Sequence, residues 1–363
     1  MAIQDRVRFV TDRSSGKDPV SPWGPSGLEQ APLLSVRNLK THFFTREGVV
    51  EAVNGVTFDL HPGQTLGLVG ESGCGKTVTA LSILRIVDKP GRIVEGEILL
   101  SQVRNGGWDV IDLTQLKPRG REMRAIRGGD IGLIFQEPMT ALSPVHTIGN
   151  QMVETIRLHS TVSKAEARET AIDLLRSVGV PRADGVFDQY AQQLSGGLRQ
   201  RALIAMTLGG NPEVLIADEP TTALDVTTQA QILDLLRDVQ EERDMAVIMI
   251  THDLGVIAEM CDDVVVMYLG IVAEQGPVDD IFHAPKHPYT RALLRSIPSV
   301  DSEPRVKLPA IAGSIPHPYN RPTGCPFHPR CVESMPGVCD QGIPELQPVG
   351  ERQAASCYLY GGT

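Results

Sequence analysis

An eight-residue stretch, GESGCGKT at 70–77, limits the possible folds of this chain more than any other segment. It follows an apolar run, QTLGLVG, and opens a helix-like run, KTVTALSILRI. The pattern G-x-x-x-x-G-K-[ST] between a strand and a helix predicts a loop that binds the phosphates of a nucleotide. An ordinary glycine-rich turn is the alternative, and the two flanking elements together argue against it.

The chemistry of this loop gives its residues distinct roles. Glycines let the backbone fold around phosphate oxygens, and N–H groups at the helix N-terminus bind the anion. Lys76 would reach the β- and γ-phosphates, and the Thr77 hydroxyl would bind Mg²⁺. Because Cys74 lies beside Lys76 at a helix N-terminus, we also expect a reactive thiol there rather than an inert, packed cysteine. The residues assigned to nucleotide binding in this segment are Gly70, Ser72, Gly73, Cys74, Gly75, Lys76, Thr77 and Thr79.

Other short apolar runs have the length and β-branched content of buried strands. They lie at 130–135, 213–218, 245–250 and 263–270. Helical stretches separate them, including 163–179, where Ser163 and Glu166 form a capping box and Gly179 is a stop signal. Alternating strands and helices predict an α/β fold with a largely parallel sheet covered by helices.

Length and composition exclude several classes of protein. With 363 residues the chain has room for roughly two domains. Its formal net charge of −10 argues against a general nucleic-acid binder, which is usually basic. We find no secretory signal, and the longest apolar run, 264–273, is half as long as a membrane span. We therefore expect a cytosolic chain that meets a membrane only through partners.

A second motif, VLIADEP at 214–220, brings two acids to the end of an apolar strand. Asp218 is placed to join the coordination sphere of Mg²⁺, and Glu219 is placed to polarise an attacking water. Two adjacent acids after a strand are a weak signal alone. Downstream of a phosphate-binding loop, the two acids predict a nucleoside triphosphatase.

A third motif, LSGGLRQR at 194–201, opens an apolar helix with two glycines. This is a second helix N-terminus suited to an anion. A chain that already holds phosphate at 70–77 has little use for another such site on the same nucleotide. The motif therefore predicts contact with a nucleotide held by a partner subunit.

Together, GESGCGKT, LSGGLRQR, VLIADEPTTALD and ITHD resemble the motifs of the ATP-binding subunits of ABC transporters. The resemblance spans 33 to about 275. It implies a P-loop ATPase with a RecA-like core, an antiparallel β-subdomain and an α-helical subdomain at about 137–205. It also implies that Gln136 senses γ-phosphate and Mg²⁺ and faces the membrane subunit. The implied catalytic residues are Glu219, His252, Gln136 and Lys76.

The same resemblance assigns residues at the edge of the nucleotide site. The signature residues Ser195, Gly196 and Gly197 would close over the partner's ATP, and Asp225 matches the D-loop aspartate. Phe43 lies near the position at which an aromatic ring stacks on adenine, with His42 and Phe44 as alternatives.

Three further stretches narrow the match: GESGCGKTVTALSILRI, FQEPMTALSPVHTIGNQM and HAPKHPYTRALLRSIPSVD. They resemble the dipeptide and oligopeptide importers, a branch that includes nickel and some oligosaccharide importers. The resemblance implies a heterodimer with a second ABC ATPase, two transmembrane permease subunits and an extracytoplasmic substrate-binding protein. The chain would then lie at the cytoplasmic face of the membrane, without nucleic acid.

Two rival functions remain. An ABC ATPase of DNA repair usually has a long insertion between the ATP motifs, and we find none. A non-enzymatic iron–sulfur sensor is disfavoured by intact Lys76, Glu219 and His252.

We expect three segments along the chain: a flexible leader at 1–31, an ATP-binding domain at 32–285 and a small loop-rich domain at 286–363, where Pro and Gly are dense.

Four of the six cysteines lie in the last segment, at Cys325, Cys331, Cys339 and Cys357. Their spacing leaves zinc and an iron–sulfur cluster open, whereas a reducing cytosol argues against disulfides.

The importer branch carries a similar tail with a 4Fe-4S cluster. The resemblance therefore implies that these four thiolates bind one, with His328 as a rival ligand. Such a cluster would stabilise the fold of a segment that is too small to build its own hydrophobic core. Catalysis would not need it, because the ATP motifs are complete without it.

Overall fold

The computed structural model describes residues 31–104, 107–222, 224–296 and 311–361. The predicted leader at 1–31 therefore lies almost entirely outside the described residues. The strands are β1 (Leu34–Phe44), β2 (Val49–Leu60), β3 (Thr65–Val69), β4 (Gly91–Arg104), β5 (Gly107–Asp112), β6 (Ile131–Ile134), β7 (Val214–Asp218), β8 (Ala246–Thr251), β9 (Asp263–Tyr268), β10 (Ile271–Pro277), β11 (Gln347–Pro348) and β12 (Ala354–Ala355). The helices are α1 (Lys76–Ile83), α2 (Arg121–Gly129), α3 (Pro138–Ala141), α4 (Ile148–His159), α5 (Lys164–Ser177), α6 (Ala183–Phe187), α7 (Gly196–Leu208), α8 (Val226–Arg243), α9 (Leu254–Met260), α10 (Val278–His283) and α11 (Pro288–Arg295).

The larger sheet has the strand order β11-β12-β10-β9-β3-β8-β7-β6. Strands β9, β3, β8, β7 and β6 run parallel, and β10, β12 and β11 extend the sheet antiparallel at the β9 side. The central strands β3, β7 and β8 are buried at every position. Burial on both faces explains why they read as continuous apolar runs rather than as alternating patterns. The predicted α/β fold with a largely parallel sheet is confirmed.

The smaller sheet is antiparallel, with the order β2-β1-β4-β5. Its apolar side chains, among them Leu34, Val36 and Ile98, form one buried cluster with Leu68 of β3 and Ile83 of α1. This cluster anchors the antiparallel sheet beside the phosphate-binding loop, because β3 and α1 flank that loop.

Helices α3 to α7 occupy 138–208 and pack through a second apolar cluster. The predicted capping box of α5 is present. Ser163 Oγ accepts from the Glu166 N–H at 3.3 Å, and Glu166 Oε2 accepts from the Ser163 N–H at 2.8 Å. Gly179 follows α5 with a φ of 72°, as expected of a glycine that ends a helix.

The C-terminal segment is joined to the core at several points. Its strand β12 pairs with β10, so the end of the chain completes the larger sheet. The buried Glu274 carboxylate of β10 accepts from the N–H groups of Lys286 (2.7 Å) and His287 (2.9 Å) and from Gln353 Nε2 (2.8 Å). The three donors bring both ends of the segment onto one strand. Within the described ranges, every helix is too short or too polar to span a bilayer.

Candidate nucleotide site

Four neighbouring parallel strands deliver the candidate site residues to one edge of the larger sheet. Strand β3 is followed by the loop at 70–77, and Gln136 lies two residues after the end of β6. Strand β7 ends at Asp218, directly before Glu219, and His252 follows β8. In open parallel sheets, ligands bind at the carboxyl ends of the strands. The structure therefore brings together the motifs that lie far apart in sequence.

The loop requires glycine at three positions, two of them because a Cβ would collide with backbone. At Gly70 (φ 153°) a Cβ would lie 2.2 Å from the Met267 carbonyl oxygen, and at Gly75 (φ 104°) it would lie 2.3 Å from the Ala52 carbonyl oxygen. Both contacts are with backbone, which cannot move aside. Gly73 (φ 78°) has nothing within 4 Å of a Cβ position, so only its backbone conformation demands glycine.

Lys76 is buried, with 6% of its surface exposed. Its Nζ donates to the carbonyl oxygens of Gly70 (2.7 Å) and Glu71 (3.4 Å). The loop's own backbone thus holds the ammonium where a phosphate oxygen would compete for it. Thr79 is buried and its hydroxyl donates to Gly75 O at 3.0 Å, so Thr79 shapes the loop and does not present its hydroxyl to a nucleotide. Ser72 and Thr77 are exposed.

Asp218 has the properties of a cation ligand. It is 5% exposed, and its Oδ1 has no hydrogen-bond partner among the described residues. Burial raises the pKa of this carboxyl and Glu219 adds to the rise, while the Thr77 hydroxyl and Lys76 lower it. A buried carboxylate oxygen without a partner needs one. Mg²⁺ prefers such oxygen ligands, so Asp218 and Thr77 fit a magnesium site.

Glu219 is held by three side chains. Its Oε1 lies 3.0 Å from His252 Nδ1, and its Oε2 accepts from Thr222 Oγ1 (2.7 Å) and from Gln136 Nε2 (3.2 Å). Burial acts to raise the pKa of Glu219, but the bonds from Thr222 and His252 outweigh it and leave the pKa lowered. The carboxylate is therefore ionised at neutral pH, as a general base must be. Sequence reasoning missed Thr222, although it lies in the same TTALD segment.

The signature motif and the D-loop adjoin each other. Ser195 caps α7 and its Oγ accepts from the Leu198 N–H at 3.4 Å. A Cβ at Gly197 would lie 2.9 Å from Thr228 Cγ2, and Thr228 in turn bonds both carboxylate oxygens of Asp225. Within the described residues, no hydrogen bond links Ser195 or Gly196, both exposed, to the loop at 70–77. This second helix N-terminus is thus open to another molecule.

The three aromatic candidates for adenine differ in exposure. Phe43 is half-buried and its ring edge would lie 2.7 Å from a Cβ at Gly91. Phe44 is 38% exposed, with the Arg92 guanidinium 4.2 Å from its ring centroid. The assignment of Phe43 stays a prediction, with His42 and Phe44 as the alternatives.

Cys74 does not have the environment of a reactive thiol. It is 3% exposed, and burial raises its pKa although the nearby Lys76 acts to lower it. The thiolate is the nucleophile, so a raised pKa and burial make the side chain inert. The prediction of a reactive thiol at Cys74 is wrong, because packing beneath the loop outweighs the charge of Lys76.

The four C-terminal cysteines line one pocket, together with Phe327 and Met335. The pKa of Cys325 is raised to about 11, chiefly by burial and further by the other three thiols. Cys339 Sγ accepts from the Met335 N–H at 3.4 Å. Across the described ranges, no group of three or more His, Cys, Asp or Glu side chains is arranged to hold a metal ion. The structure brings the thiols to one pocket and assigns no metal to them.

A glycine-rich loop of the phosphate-binding pattern after β3, together with a buried aspartate and a glutamate at the end of β7 on the same edge of the sheet, is the arrangement of a P-loop ATPase. Residues 53–222 match the family model described as ABC transporter, and residues 273–339 match that of the oligopeptide/dipeptide transporter C-terminal region. The chain is 47% identical to a probable peptide ABC transporter ATP-binding protein of Sinorhizobium fredii, over 90% of this chain and 94% of that protein. It is also 47% identical to an oligopeptide transport ATP-binding protein of Bacillus subtilis, over 90% and 97%.

Solved structures agree with this assignment. A dimeric ATP-binding cassette, MJ0796, bound to ADP and Pi superposes with a TM-score of 0.58 at 26% identity, over 68% of this chain and 98% of that one. The protein cbiO1 of Clostridium perfringens, part of an ABC transporter complex, gives 0.57 at 25% identity, over 70% and 92%. The chain belongs to the ATP-binding subunits of ABC transporters, in the peptide and oligopeptide importer family.

Proposed function

We propose that this chain hydrolyses ATP to power the uptake of dipeptides or oligopeptides through partner membrane subunits. The observation that carries the enzymatic part is the Glu219 carboxylate, held in place by hydrogen-bond contacts with His252, Gln136 and Thr222. The peptide substrate rests on the relatives, whose names describe peptide and oligopeptide transport. Nickel or oligosaccharide import by the same machinery is the alternative. A DNA-repair role fits the net charge of −10 poorly.

The reaction follows from the positions of these side chains. Lys76 and the loop N–H groups bind the phosphates, and Thr77 and Asp218 would hold Mg²⁺, which neutralises charge on the phosphate oxygens. Water attacks the γ-phosphorus, the bond from that phosphorus to the bridging oxygen breaks, and ADP leaves. Glu219 accepts the proton of the attacking water, and His252 and Gln136 keep the carboxylate in place.

Two copies of this kind of ATPase would close on each other. Ser195, Gly196 and Gly197 would contact the nucleotide of a second ABC ATPase chain, with Asp225 at the same interface. Ser195, Gly196 and Asp225 are exposed, and within the described part of the chain neither Ser195 nor Gly196 is hydrogen-bonded to the loop at 70–77, which supports this arrangement. A second, different chain as the partner is implied by the importer family.

The membrane partners would dock near Gln136. Exposed apolar side chains cluster in this segment, with Phe135 39%, Met139 45% and Val145 73% exposed. We propose that two permease subunits cover this surface and that an extracytoplasmic binding protein delivers the peptide. The chain would then act at the cytoplasmic face of the membrane.

The cysteine pocket is proposed to hold a 4Fe-4S cluster on Cys325, Cys331, Cys339 and Cys357. A single zinc ion with Zn–S bonds of about 2.3 Å draws four sulfurs to within about 3.8 Å of one another. The four thiols line one pocket, and in a cluster each thiolate would bind a different iron. His328 also lines the pocket and is the rival ligand.

Transport in proteoliposomes tests the proposed function. The chain, its partner ATPase and the permeases are reconstituted, and uptake of a labelled peptide is followed with and without ATP and binding protein. ATP-dependent peptide uptake is expected. Uptake of nickel or an oligosaccharide instead would favour the alternative substrate, and no ATP-dependent uptake of any of the three would contradict importer function.

A further inference from the structure

The cysteine-bearing segment touches the phosphate-binding loop directly. Arg330, which directly precedes Cys331, donates from Nη1 to Glu71 Oε2 at 2.7 Å and from Nη2 to Glu71 Oε1 at 3.1 Å. Such a two-pronged arginine–carboxylate bond fixes orientation as well as distance. The Arg330 side chain is 4% exposed and that of Glu71 is 21% exposed. Glu71 is the second residue of the GESGCGKT motif.

The same segment holds the backbone of Glu71. The Glu71 N–H donates to the hydroxyl of Tyr289, a fully buried residue of α11, at 2.9 Å. The Tyr289 ring packs on Tyr268 and Phe327 with centroids 4.7 and 5.3 Å apart. Arg330 also donates to the Tyr268 hydroxyl at 3.2 Å. One aromatic cluster therefore supports both contacts with Glu71.

Glu71 in turn holds the rest of the loop. Its carbonyl oxygen accepts from Lys76 Nζ at 3.4 Å and from the Cys74 N–H at 3.2 Å. Displacement of Glu71 would therefore displace the lysine that is placed to bind phosphate. The effect would reach the nucleotide without any direct contact between Arg330 and ATP.

Charge gives this arrangement a second consequence. A free carboxylate in a loop that binds the phosphates of ATP repels them, and the repulsion is strong where burial lowers the dielectric response. Arg330 neutralises Glu71 and draws its carboxylate toward the C-terminal segment. Breaking a buried pair by removing one partner leaves an uncompensated charge, which is the costly outcome.

We propose that Arg330 is a positioning residue for ATP binding, because it neutralises and anchors Glu71 and so couples the affinity for ATP to the cysteine-lined segment. The inference rests on the ATP-binding role proposed above. It adds to the expectation that catalysis does not need the cluster a contact through which the segment acts on ATP binding.

A double-mutant cycle on the full-length chain tests the inference. The dissociation constant of Mg·ATP is measured by equilibrium fluorescence with a labelled ATP analogue, alongside the melting temperature. Arg330→Met is expected to weaken ATP binding about tenfold, which corresponds to about 1.4 kcal/mol. Glu71→Gln is expected to change it by less than about threefold. The double variant is expected to bind like Glu71→Gln, because the unpaired carboxylate is gone.

The matched control is Arg352→Met. Arg352 also bridges the C-terminal segment and the core, through Asp263 at 2.9 Å, but Asp263 lies at the start of β9 rather than in the loop. This variant is expected to leave the dissociation constant of ATP unchanged. A salt bridge of purely structural importance would lower the melting temperature in both variants and would not be rescued for ATP binding by Glu71→Gln.

A second cycle covers the case in which Arg330→Met does not fold. Cys331→Ser changes the residue beside Arg330, and it is expected to weaken ATP binding in the wild-type background but not in the Glu71→Gln background. Equal losses in both backgrounds, or wild-type affinity in folded Arg330→Met, would overturn the inference. Wild-type protein that does not bind ATP would instead contradict the proposed function.

Discussion

His252 Nδ1 lies 3.0 Å from Glu219 Oε1, so the residue after β8 contacts the residue after β7 across the edge of the sheet. The other Glu219 oxygen is bonded by Thr222 and Gln136. Side chains that follow β6, β7 and β8 thus hold the Glu219 carboxylate at one edge of the sheet.

Replacing the histidine tests how far this contact matters. His252→Ala should lower ATP turnover about 100-fold or more, because one fixed catalytic contact is lost. The dissociation constant of ATP should stay within about threefold, since Lys76 and the loop glycines are untouched. Turnover and equilibrium binding are measured on the same preparation. Unchanged turnover would rule out a role for His252 in hydrolysis.

The Thr222 hydroxyl should shift the acidic limb of the pH profile. It bonds Glu219 Oε2 and lowers the pKa of that carboxyl. A base is active when deprotonated, so turnover falls as pH drops through its pKa. Thr222→Val should raise that pKa and move the acidic limb of the turnover profile to higher pH. Thr170→Val, on the exposed face of α5, is the control and should leave the profile in place.

The ionised Asp218 carboxylate should lower the stability of the chain without nucleotide, yet it should be needed for binding Mg·ATP. Burial raises its pKa, so the protein gains stability when this group is protonated and loses it as pH rises through the raised pKa. At neutral pH the neutral variant Asp218→Asn should therefore melt at the same temperature as the parent or higher, without nucleotide. It should lose most of the stabilisation by Mg·ATP. Calorimetry with and without Mg·ATP checks both. A lower melting temperature without nucleotide would show that the ionised Asp218 carboxylate stabilises the folded chain, which is the opposite of the expected effect.

Protein purified without oxygen should be brown, because we expect the cysteine pocket to hold an iron–sulfur cluster. About four irons and four sulfides per chain are expected, since one cluster takes all four thiolates. Changing any one of Cys325, Cys331, Cys339 or Cys357 to Ser should lower the iron content. Cys261→Ser is the matched control, because that thiol is buried in the ATPase core away from the pocket. One zinc and no iron per chain would replace the cluster with a zinc site.

That the motif residues meet at one edge of the sheet could be predicted from the sequence, for a physical reason. Asp218 ends an apolar strand and Gln136, Glu219 and His252 follow one within a residue or two, and parallel strands bring their carboxyl ends to one edge. The capping box at Ser163 was also predictable, because its two partners are three residues apart.

Contacts between distant segments were not predictable in this way. The partners Arg330 and Glu71 lie 259 positions apart, and only the folded C-terminal segment brings them together. The pairing of β12 with β10 depends on two alanines that carry no strand signal. Cys74 is buried in the apolar cluster that joins the smaller sheet to β3 and α1, so the motif beside Lys76 predicted the nearby charge but not this packing.

The most direct test of the account is the turnover of Glu219→Gln in the assembled complex. Glutamine keeps the shape and the contact with Thr222 but cannot accept a proton from water. We expect unchanged ATP binding, turnover lowered about 100-fold or more, and a closed two-ATPase complex that persists with ATP. Hydrolysis at the parent rate, with ATP bound, would show that Glu219 is not the base and would contradict the central claim.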